Sequence, residues 1–455
     1  MMRALTLSEL QLPLAAQLHG ADTEISGVST DSRTLQRGDL FVALRGAQFD
    51  GHAYVPQVHS AGAAAVLVSA PVVSPLPQLQ VADTQRALGQ LAAYNRQLYS
   101  GPLVAITGSS GKTTVKNMVA AVLSQRGETL ATAGNFNNEI GVPLTLLRLR
   151  PGIEFAVVEM GAAGAGHIDY LCTLARPSIA LLLNAMPAHL DGFGSVEGVA
   201  AAKGEIFDRL GAADVAVINA DQVWAKQWRK RAAAAKVLDF GLEQAAAISA
   251  RDIQSRGVEG ISFTASTPIG DVAMRLTLPG VHNVANALAA VAVGLACELS
   301  LIEIRDGLES LQPVDGRLRS VVSAAGVLVI DDCYNANPGS VRAAIDMLSA
   351  CPGQRTLILG AMLELGANSS ALHREIGEYA RRAGIEQLWG VGPELEVCVS
   401  AFGANGRFIA ERSAAVAAVQ GEFGQGDTVL FKGSRGAGME QVMRALLPAL
   451  KAQGH

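Results

Sequence analysis

The chain has 455 residues, of which 49% are hydrophobic and 17% are charged, and its formal net charge is −5. This length favours about three domains, and the weakly acidic composition excludes the basic surface that a nucleic-acid polymer requires. The five cysteines are scattered without Cys-x-x-Cys spacing, so neither a zinc site nor a disulfide framework is indicated. No apolar run approaches the roughly 20 residues that span a bilayer, and we expect a cytoplasmic protein without membrane insertion.

Residues 1–83 predict a small α/β domain. Short strands are expected at 40–44 and 64–68, and turn-rich segments separate them. A helix is expected from Asp83 or Thr84 to about Tyr99, because either residue can cap it and apolar residues follow at near-helical spacing. We place the first domain boundary at the start of this helix.

Residues 107–114 read Thr-Gly-Ser-Ser-Gly-Lys-Thr-Thr and directly follow the apolar run 102–106. A strand that leads through a glycine-rich turn into a helix is the context of a phosphate-binding loop. The two glycines allow backbone N–H groups to turn toward phosphate oxygens, Lys112 adds a positive charge, and Thr113 offers a hydroxyl to magnesium. The segment therefore predicts an ATP site. Its candidate residues are Thr107, Gly108, Ser109, Ser110, Gly111, Lys112, Thr113 and Thr114.

Residues 84–313 predict a mostly parallel sheet with helices on both faces, because apolar strands alternate with helical stretches. The predicted strands are 102–107, 155–158, 179–183 and 214–218, with a β-rich insertion at about 251–278. Open sheets of this kind bind ligands at the carboxyl ends of their strands. Glu159 ends one strand and is the predicted magnesium ligand, with an ordinary strand-terminal carboxylate as the alternative. His189 follows another strand and is a candidate for a second cation, although a lone histidine is more often structural.

Residues 314–455 repeat the alternation, with strands expected at 327–330, 356–359, 387–389 and 428–431. This pattern indicates a second nucleotide-binding-type domain, similar to a Rossmann fold. The predicted fold class is therefore α/β, with three domains at 1–83, 84–313 and 314–455.

Several motifs occur in the order and spacing of the Mur ligases, the ATP-dependent amide-forming enzymes of peptidoglycan precursor synthesis. The motifs are 107–114, Glu159-Met160-Gly161, Ala188-His189-Leu190 and Ala202-Lys203-Gly204-Glu205. Segments 132–143, 331–338, 359–366 and 432–435 resemble the branch that joins D-alanyl-D-alanine to UDP-N-acetylmuramoyl-tripeptide. Segments 28–33 and 38–44 are similar to the family's uridine-nucleotide domain, so the resemblance spans essentially the whole chain.

The resemblance implies an ADP-forming peptide ligase that acts as a monomer on these two substrates through an acyl phosphate. It implies two magnesium ions, one held by Thr113 and Glu159 and the other near His189. Lys203 resembles the family lysine that is carbamylated by carbon dioxide, with a solvated helix lysine as the alternative. An ammonium beside two cations would be repelled, whereas a carbamate is an anion that can face them.

The same resemblance implies further ligand contacts. Asn283 and Asn286 resemble the adenine-contacting asparagines, with helix capping as the alternative. Arg317 would reach the γ-phosphate when the third domain closes, and Asp332 and Tyr334 would meet the ribose and base. The substrate-binding candidates are Ser29, Asp31, Ser32 and Arg33 for the UDP end, and Asn135, Asn137 and Asn138 for the central domain, where a turn-forming role is the alternative.

Two departures and three competing functions remain open at this point. His167 stands where the family pattern has a glutamate, and Met186-Pro187 interrupts the usual approach to His189. The related ligase that adds diaminopimelate or lysine usually has Asp-Asn-Pro-Arg where this chain has residues 335–338, Asn-Ala-Asn-Pro. A folylpolyglutamate synthase would share the central chemistry, and a P-loop switch protein would need neither outer domain.

Overall fold

A computed structural model of the chain describes residues 2–46, 49–187, 190–312 and 316–447. Within these ranges, the fold is α/β and is built around sheets of five, six and six strands. No helix in the described part of the chain is long and apolar enough to cross a membrane.

The N-terminal part forms a five-stranded sheet of order β2-β7-β6-β5-β4 and a small pair of strands, β1 and β3. The elements are β1 (Leu5–Thr6), α1 (Leu7–Leu14), β2 (Gln17–His19), β3 (Glu24–Ile25), β4 (Gly27–Ser29), β5 (Asp39–Val42), α2 (Val55–Ser60), β6 (Ala65–Val68) and β7 (Gln78–Gln80). The two predicted strands are confirmed as β5 and β6. Because β4, β5 and β6 are parallel, the loops that follow them share one edge of the sheet.

The predicted linking helix is confirmed as α3 (Thr84–Gln97). Asp83 caps it by accepting a hydrogen bond from the N–H of Arg86. Leu88 and Leu91 are buried in a core that also contains side chains from β5 and from the central sheet. The helix therefore packs against both units, and the boundary between residues 83 and 84 stays a prediction.

The central sheet is parallel, in the order β13-β12-β11-β8-β10-β9. Its elements are β8 (Leu103–Thr107), α4 (Lys112–Leu123), β9 (Thr129–Ala131), α5 (Gly141–Leu146), β10 (Phe155–Glu159), α6 (His167–Ala175), β11 (Ile179–Leu182), α7 (Leu190–Phe193), α8 (Val196–Gly204), β12 (Val215–Asn219), α9 (Ala225–Arg231) and β13 (Lys236–Phe240). Leu103 and Ala105 of β8 face one core and Val104 and Ile106 face the other, as expected for a strand with helices on both faces.

An antiparallel hairpin sheet follows and confirms the predicted β-rich insertion. Its strands are β14 (Ser249–Ser255), β15 (Ile261–Thr267) and β16 (Gly270–Leu276). The chain then returns to the central sheet as α10 (Val281–Ala296) and α11 (Leu301–Glu309). Both helices pack against α4, the helix that follows the phosphate loop.

The third sheet has the order β17-β18-β22-β19-β20-β21, with β17 antiparallel at one edge. Its elements are β17 (Arg319–Val322), β18 (Leu328–Asp332), α12 (Pro338–Ser349), β19 (Arg355–Gly360), α13 (Ser369–Arg382), β20 (Gln387–Val391), α14 (Glu396–Phe402), β21 (Gly406–Ile409), α15 (Arg412–Ala418), β22 (Thr428–Lys432) and α16 (Met439–Leu446). The four predicted strands are confirmed as β18, β19, β20 and β22, whereas β17 and β21 were not predicted.

The third sheet has its topological switch point between β18 and β22. Helices α12, α13 and α14 pack on one face, and α15 and α16 pack on the other. The loop after β18 leads to α12 and the loop after β22 leads to α16, so the two loops diverge to opposite faces. This divergence opens a crevice at the carboxyl edge, which is where open α/β sheets bind ligands.

Candidate active site

A cleft of about 1060 Å³ lies between the carboxyl edges of the central and third sheets. One wall comes from the phosphate loop, the loops after β9, β10 and β11, and the first turn of α10. The other comes from the loops after β18, β19 and β22. Of the predicted residues, the following line it: Ser109, Ser110, Gly111, Lys112, Thr113, Thr114, Asn135, Asn137, Asn138, Glu159, Lys203, Asn283, Asn286, Arg317, Asp332 and Tyr334.

The phosphate loop has the predicted strand, turn and helix geometry. Gly111 has φ +82°, a left-handed conformation that favours glycine, and α4 begins at the next residue. Lys112 folds back over the loop, and its Nζ donates to the carbonyl of Gly108 at 2.7 Å. Burial lowers the pKa of Lys112, and the negative charge of Glu159 opposes that shift. The lysine is thus half-buried at the start of α4, within the electrostatic reach of Glu159.

Asn184, after β11, clasps the middle of the phosphate loop. Its backbone carbonyl accepts from the N–H of Ser109 at 3.0 Å, and its Oδ1 accepts from the N–H of Ser110 at 2.9 Å. Its Nδ2 donates to the carbonyl of Ser110 at 3.2 Å. Two loop amides are therefore already bonded within the protein. The amides that begin α4 are the ones left to bind an anion.

The predicted metal pair is brought together. Thr113 Oγ1 donates to Glu159 Oε2 at 2.8 Å, although the two residues lie on different elements. Asn137 Nδ2 donates to the other carboxylate oxygen at 2.8 Å, and Glu159 is only 2% exposed. The carboxylate is thus held from both sides at the end of β10.

The three predicted asparagines after β9 have different roles. Asn137 contacts Glu159, whereas Asn138 Oδ1 accepts from the N–H of Gly141 at 2.9 Å and fixes the start of α5. The carbonyl of Asn135 accepts from the N–H of Asn137, and its side chain is exposed along the cleft. The turn-forming alternative therefore describes Asn138, and Asn135 is the asparagine with a side chain open to a ligand.

Lys203 lies in the last turn of α8 and is 2% exposed within the cleft wall. Its Nζ lies 5.9 Å from the ring centre of Phe193, and no described carboxylate forms an ion pair with it. Burial lowers the pKa of Lys203 well below its ordinary range, and the charge of Lys112 lowers it further. The neutral amine is the form that this environment favours.

His189 lies outside the described residues. His167, the residue that departs from the family pattern, begins α6 and lines the cleft. Glu205 accepts from the N–H groups of Gly166 and Asp169 at 2.8 and 3.1 Å, so it satisfies the first turn of α6. In the described part of the chain, no group of three or more His, Cys, Asp or Glu side chains is arranged to hold a metal ion.

The asparagines of α10 form hydrogen bonds at the start of this helix, and Asn286 lies close to the phosphate loop. Asn283 Nδ2 donates to the carbonyl of Pro279 at 2.7 Å, and Asn286 Nδ2 donates to Asn283 Oδ1 at 3.0 Å. A Cβ atom on Gly111 would lie 2.9 Å from Asn286 Oδ1, so this close approach requires glycine. Neither side chain caps α10, which begins after Gly280 without a side-chain cap, so the capping alternative is wrong.

The third-sheet wall carries a stack of two arginines on one tyrosine. The guanidinium carbons of Arg317 and Arg435 lie 4.2 and 5.6 Å from the ring centre of Tyr334. Asp332 and Lys432 form an ion pair at 2.5 Å, in which Lys432 is buried and Asp332 is half-buried. Tyr334 therefore supports cations in this structure, a role that the sequence did not indicate, and Arg435 was not a predicted residue.

The candidates for the UDP end lie apart from the cleft, in the loop after β4. Asp31 and Arg33 form an ion pair at 2.6 Å, and the Arg33 hydrogen bonds lower the pKa of Asp31 to about 2. Ser29 Oγ donates to the carbonyl of Asp31, and Ser32 Oγ donates to Gln57 Oε1. A ligand at this loop would have to compete with these internal contacts.

Comparisons with known proteins agree with this arrangement. Three family models match: the Mur ligase family catalytic domain over residues 24–96, the Mur ligase middle domain over 106–294 and the Mur ligase glutamate ligase domain over 316–435. UDP-N-acetylmuramoyl-tripeptide–D-alanyl-D-alanine ligase of Escherichia coli is 46% identical over 98% of this chain and 99% of its own.

Two solved structures extend the comparison. MurF from Acinetobacter baumannii is 36% identical, with a TM-score of 0.93 over 98% of this chain and 99% of its own. MurF from Thermotoga maritima in complex with ADP is 28% identical, with a TM-score of 0.81 over 92% of this chain and 96% of its own. The matches extend across all three sheets and both walls of the cleft.

Proposed function

The chain belongs to the Mur ligase family, and from this premise we infer that the cleft performs the family's ligase chemistry. The protein is an ADP-forming ligase that joins D-alanyl-D-alanine to UDP-N-acetylmuramoyl-tripeptide. The observation that carries this reading is the convergence of a phosphate loop and the third-sheet switch point on one cleft. Ligases of this named reaction match the chain almost end to end.

We propose that the reaction proceeds in two displacements. The terminal carboxylate of the tripeptide attacks the γ-phosphorus of ATP, the bond to ADP breaks, and an acyl phosphate forms. The amine of the dipeptide then attacks the activated carbonyl, phosphate leaves, and the nitrogen loses a proton. Both steps depend on alignment and on stabilisation of negative charge. Lys112 and Arg317 supply the positive charge that stabilises it, from opposite walls of the cleft.

The donor set at the end of β10 fits magnesium. The Thr113 hydroxyl and the Glu159 carboxylate lie within 2.8 Å of each other, and both are the hard oxygen ligands that magnesium prefers. A magnesium ion held by this pair would neutralise charge on the phosphates. Asn137 donates a hydrogen bond to one carboxylate oxygen of Glu159, and the other oxygen accepts from Thr113. A second ion near His189 rests on the family resemblance.

We propose that Lys203 is carbamylated. Its ammonium is buried without a described carboxylate partner, so the neutral amine with a free lone pair is favoured. In the modification, this lone pair attacks the carbon of carbon dioxide, the new N–C bond places negative charge on oxygen, and one N–H proton leaves to solvent. The product is an anion facing the phosphate side of the cleft, where a bound cation would stabilise it.

The remaining assignments are also proposals. The loop after β4 binds the uridine nucleotide, well away from the cleft, so that the peptide end of the long substrate reaches the phosphate loop. Asn283 and Asn286 meet the adenine side of ATP, and Arg435 joins Arg317 as a cation at the third-sheet wall. We place the protein in the cytoplasm, since ATP is its co-substrate and its five cysteines are free, with Cys297 partly exposed and the others buried. The monomeric state rests on the family resemblance.

Oxygen-isotope transfer tests the acyl phosphate. If the terminal carboxylate of the tripeptide carries heavy oxygen, one labelled oxygen moves to the released phosphate, because the carboxylate oxygen bridges carbon and phosphorus before the amine attacks. Mass spectrometry of the phosphate measures this transfer. Label that stays wholly in the peptide product or in water would overturn the proposed intermediate.

A further inference from the structure

Lys116 is a buried lysine on the phosphate-loop helix that the reaction described above does not use. It lies one helical turn after Lys112, on the same side of α4, and is 5% exposed. Its Nζ donates to the carbonyl of Thr132 at 2.7 Å, and no described carboxylate forms an ion pair with it. Burying an ammonium costs free energy that an apolar side chain of similar length would avoid. A role in packing alone therefore does not account for this lysine.

Thr132, which accepts the Lys116 hydrogen bond, contacts both α4 and β10, the strand that ends in Glu159. It follows β9 directly and is 2% exposed. Its N–H donates to the carbonyl of Val157 at 3.0 Å, and its Oγ1 accepts from the N–H of Glu159 at 3.0 Å. With its carbonyl on Lys116, all three polar groups of Thr132 are engaged. A shift of Lys116 would therefore be transmitted to the backbone of Glu159.

Two side chains of α4 thus act on Glu159 from different directions. Thr113 contacts the carboxylate itself at 2.8 Å, and Lys116 reaches the backbone N–H through Thr132. The two residues are three positions apart on one face of the helix, so their relative placement is fixed by the helix geometry. Both contacts therefore meet at Glu159, whose carboxylate lies 2.8 Å from the Thr113 hydroxyl.

We propose that Lys116 is a positioning residue for the magnesium-binding carboxylate. Through Thr132 it holds Glu159 at the distance from Thr113 that a single ion requires. The proposal rests on the metal role of the Thr113 and Glu159 pair within the proposed function. It does not depend on which peptide the enzyme ligates.

Calorimetric titration of ADP, with and without magnesium, tests the proposal without turnover. Magnesium should strengthen ADP binding to the wild type. In Lys116→Met this strengthening should fall by about 10- to 100-fold, the usual effect of removing a group that orients a metal ligand. ADP binding without magnesium should be unchanged, because the amides that begin α4 remain in place.

Matched variants separate positioning from general damage. Lys226→Met makes the same chemical change on the exposed side of α9 and should bind like the wild type. Thr132→Val removes the hydroxyl that holds Glu159 and should repeat the loss, whereas Thr132→Ser keeps the hydroxyl and should not. If Lys116→Met does not fold, full magnesium strengthening in Thr132→Val overturns the proposal, because Lys116 reaches Glu159 through Thr132.

Three results would overturn the proposal: full magnesium strengthening in Lys116→Met, an equal loss of ADP binding with and without magnesium, or no magnesium effect in the wild type. Absence of ligase turnover with a muramyl peptide would instead bear on the proposed function, since the titration uses neither peptide.

Discussion

Met186, in the loop after β11, lies directly against Gly339 in the first turn of α12. A Cβ atom on Gly339 would lie 2.6 Å from Met186 Sδ, closer than real Cβ contacts allow. The backbone of Met186 is bonded on both sides to the phosphate-loop serine: its N–H donates to Ser109 Oγ at 3.0 Å, and Ser109 Oγ donates to its carbonyl at 3.2 Å. Met186, which belongs to one of the two departures from the family pattern, therefore links the phosphate loop to the first turn of α12.

The contact between Met186 and Gly339 predicts a loss of activity that a second substitution restores. Gly339→Ala should lower kcat by about tenfold, because overpacking costs roughly 1–3 kcal/mol and here would push the third-sheet wall away from the phosphate loop. Met186→Ala in the same chain should restore most of the activity by removing the clashing side chain. Gly424→Ala, whose added Cβ meets nothing within 4 Å, is the matched control. Equal kcat in Gly339→Ala and the wild type, measured by phosphate release, would show that the contact is incidental.

The phosphate-loop lysine, Lys112, gives the second prediction. Lys112→Ala should reduce turnover by several orders of magnitude with an unchanged circular dichroism spectrum, because a neutral side chain cannot offset the charge of the triphosphate. Lys226→Ala provides the same truncation at an exposed site. A folded Lys112→Ala protein with near-normal turnover would mean that the loop does not bind the transferred phosphate.

His373 predicts a loss of stability in mild acid. Its Nδ1–H donates to the carbonyl of Ser369 at 2.8 Å, and its Nε2 accepts from the N–H of Met362 at 3.0 Å, so both bonds require the neutral ring. Burial lowers the pKa of His373. The stabilisation is therefore complete above the ordinary histidine pKa near 6.5 and is lost as pH falls below it, by at most about 1.4 kcal/mol per pH unit.

Urea unfolding between pH 7.5 and 5 measures this dependence. The free energy of unfolding should decline more steeply in the wild type than in His373→Gln, which cannot gain the proton. His59→Gln, at an exposed site, should keep the wild-type slope. Parallel slopes for all three proteins would exclude a contribution from His373.

The carbamate proposal predicts chemical rescue. Lys203→Ala should be nearly inactive, and small carboxylic acids at high concentration should restore part of the activity by supplying an anion at the vacated position. Lys203→Arg should remain inactive, because a guanidinium has the wrong sign beside bound cations. Full activity in Lys203→Ala, or wild-type activity in Lys203→Arg, would make the lysine structural.

The sequence predicted what depends on local order along the chain and missed what depends on distant contacts. The strand before Glu159 and the turn before Lys112 have local signals, so their positions and the pairing of Thr113 with Glu159 could be predicted. The clasp of Asn184 on the phosphate loop joins positions 74 residues apart, and no local pattern indicates it. No local pattern indicates the contact between Lys116 and Thr132 either.

Two strands of the third sheet were missed for physical reasons. Strand β17 is antiparallel at the sheet edge and is largely exposed, so it lacks the apolar run that marked the central strands. Strand β21 is four residues long, begins with glycine and exposes Arg407 and Phe408. Strand β21 contributes no residue to the cleft, whereas Arg317, two residues before β17, lines it, so this predicted residue was placed without its strand.

The most direct test of the account is phosphate release from ATP and magnesium in the presence of each substrate alone and of both together. Turnover should occur only when UDP-N-acetylmuramoyl-tripeptide and D-alanyl-D-alanine are both present, because the amine must break down the acyl phosphate. Free D-alanine, the UDP-muramyl-dipeptide and folate should not substitute. Robust turnover with a folate and glutamate, and none with the muramyl tripeptide and dipeptide, would contradict it.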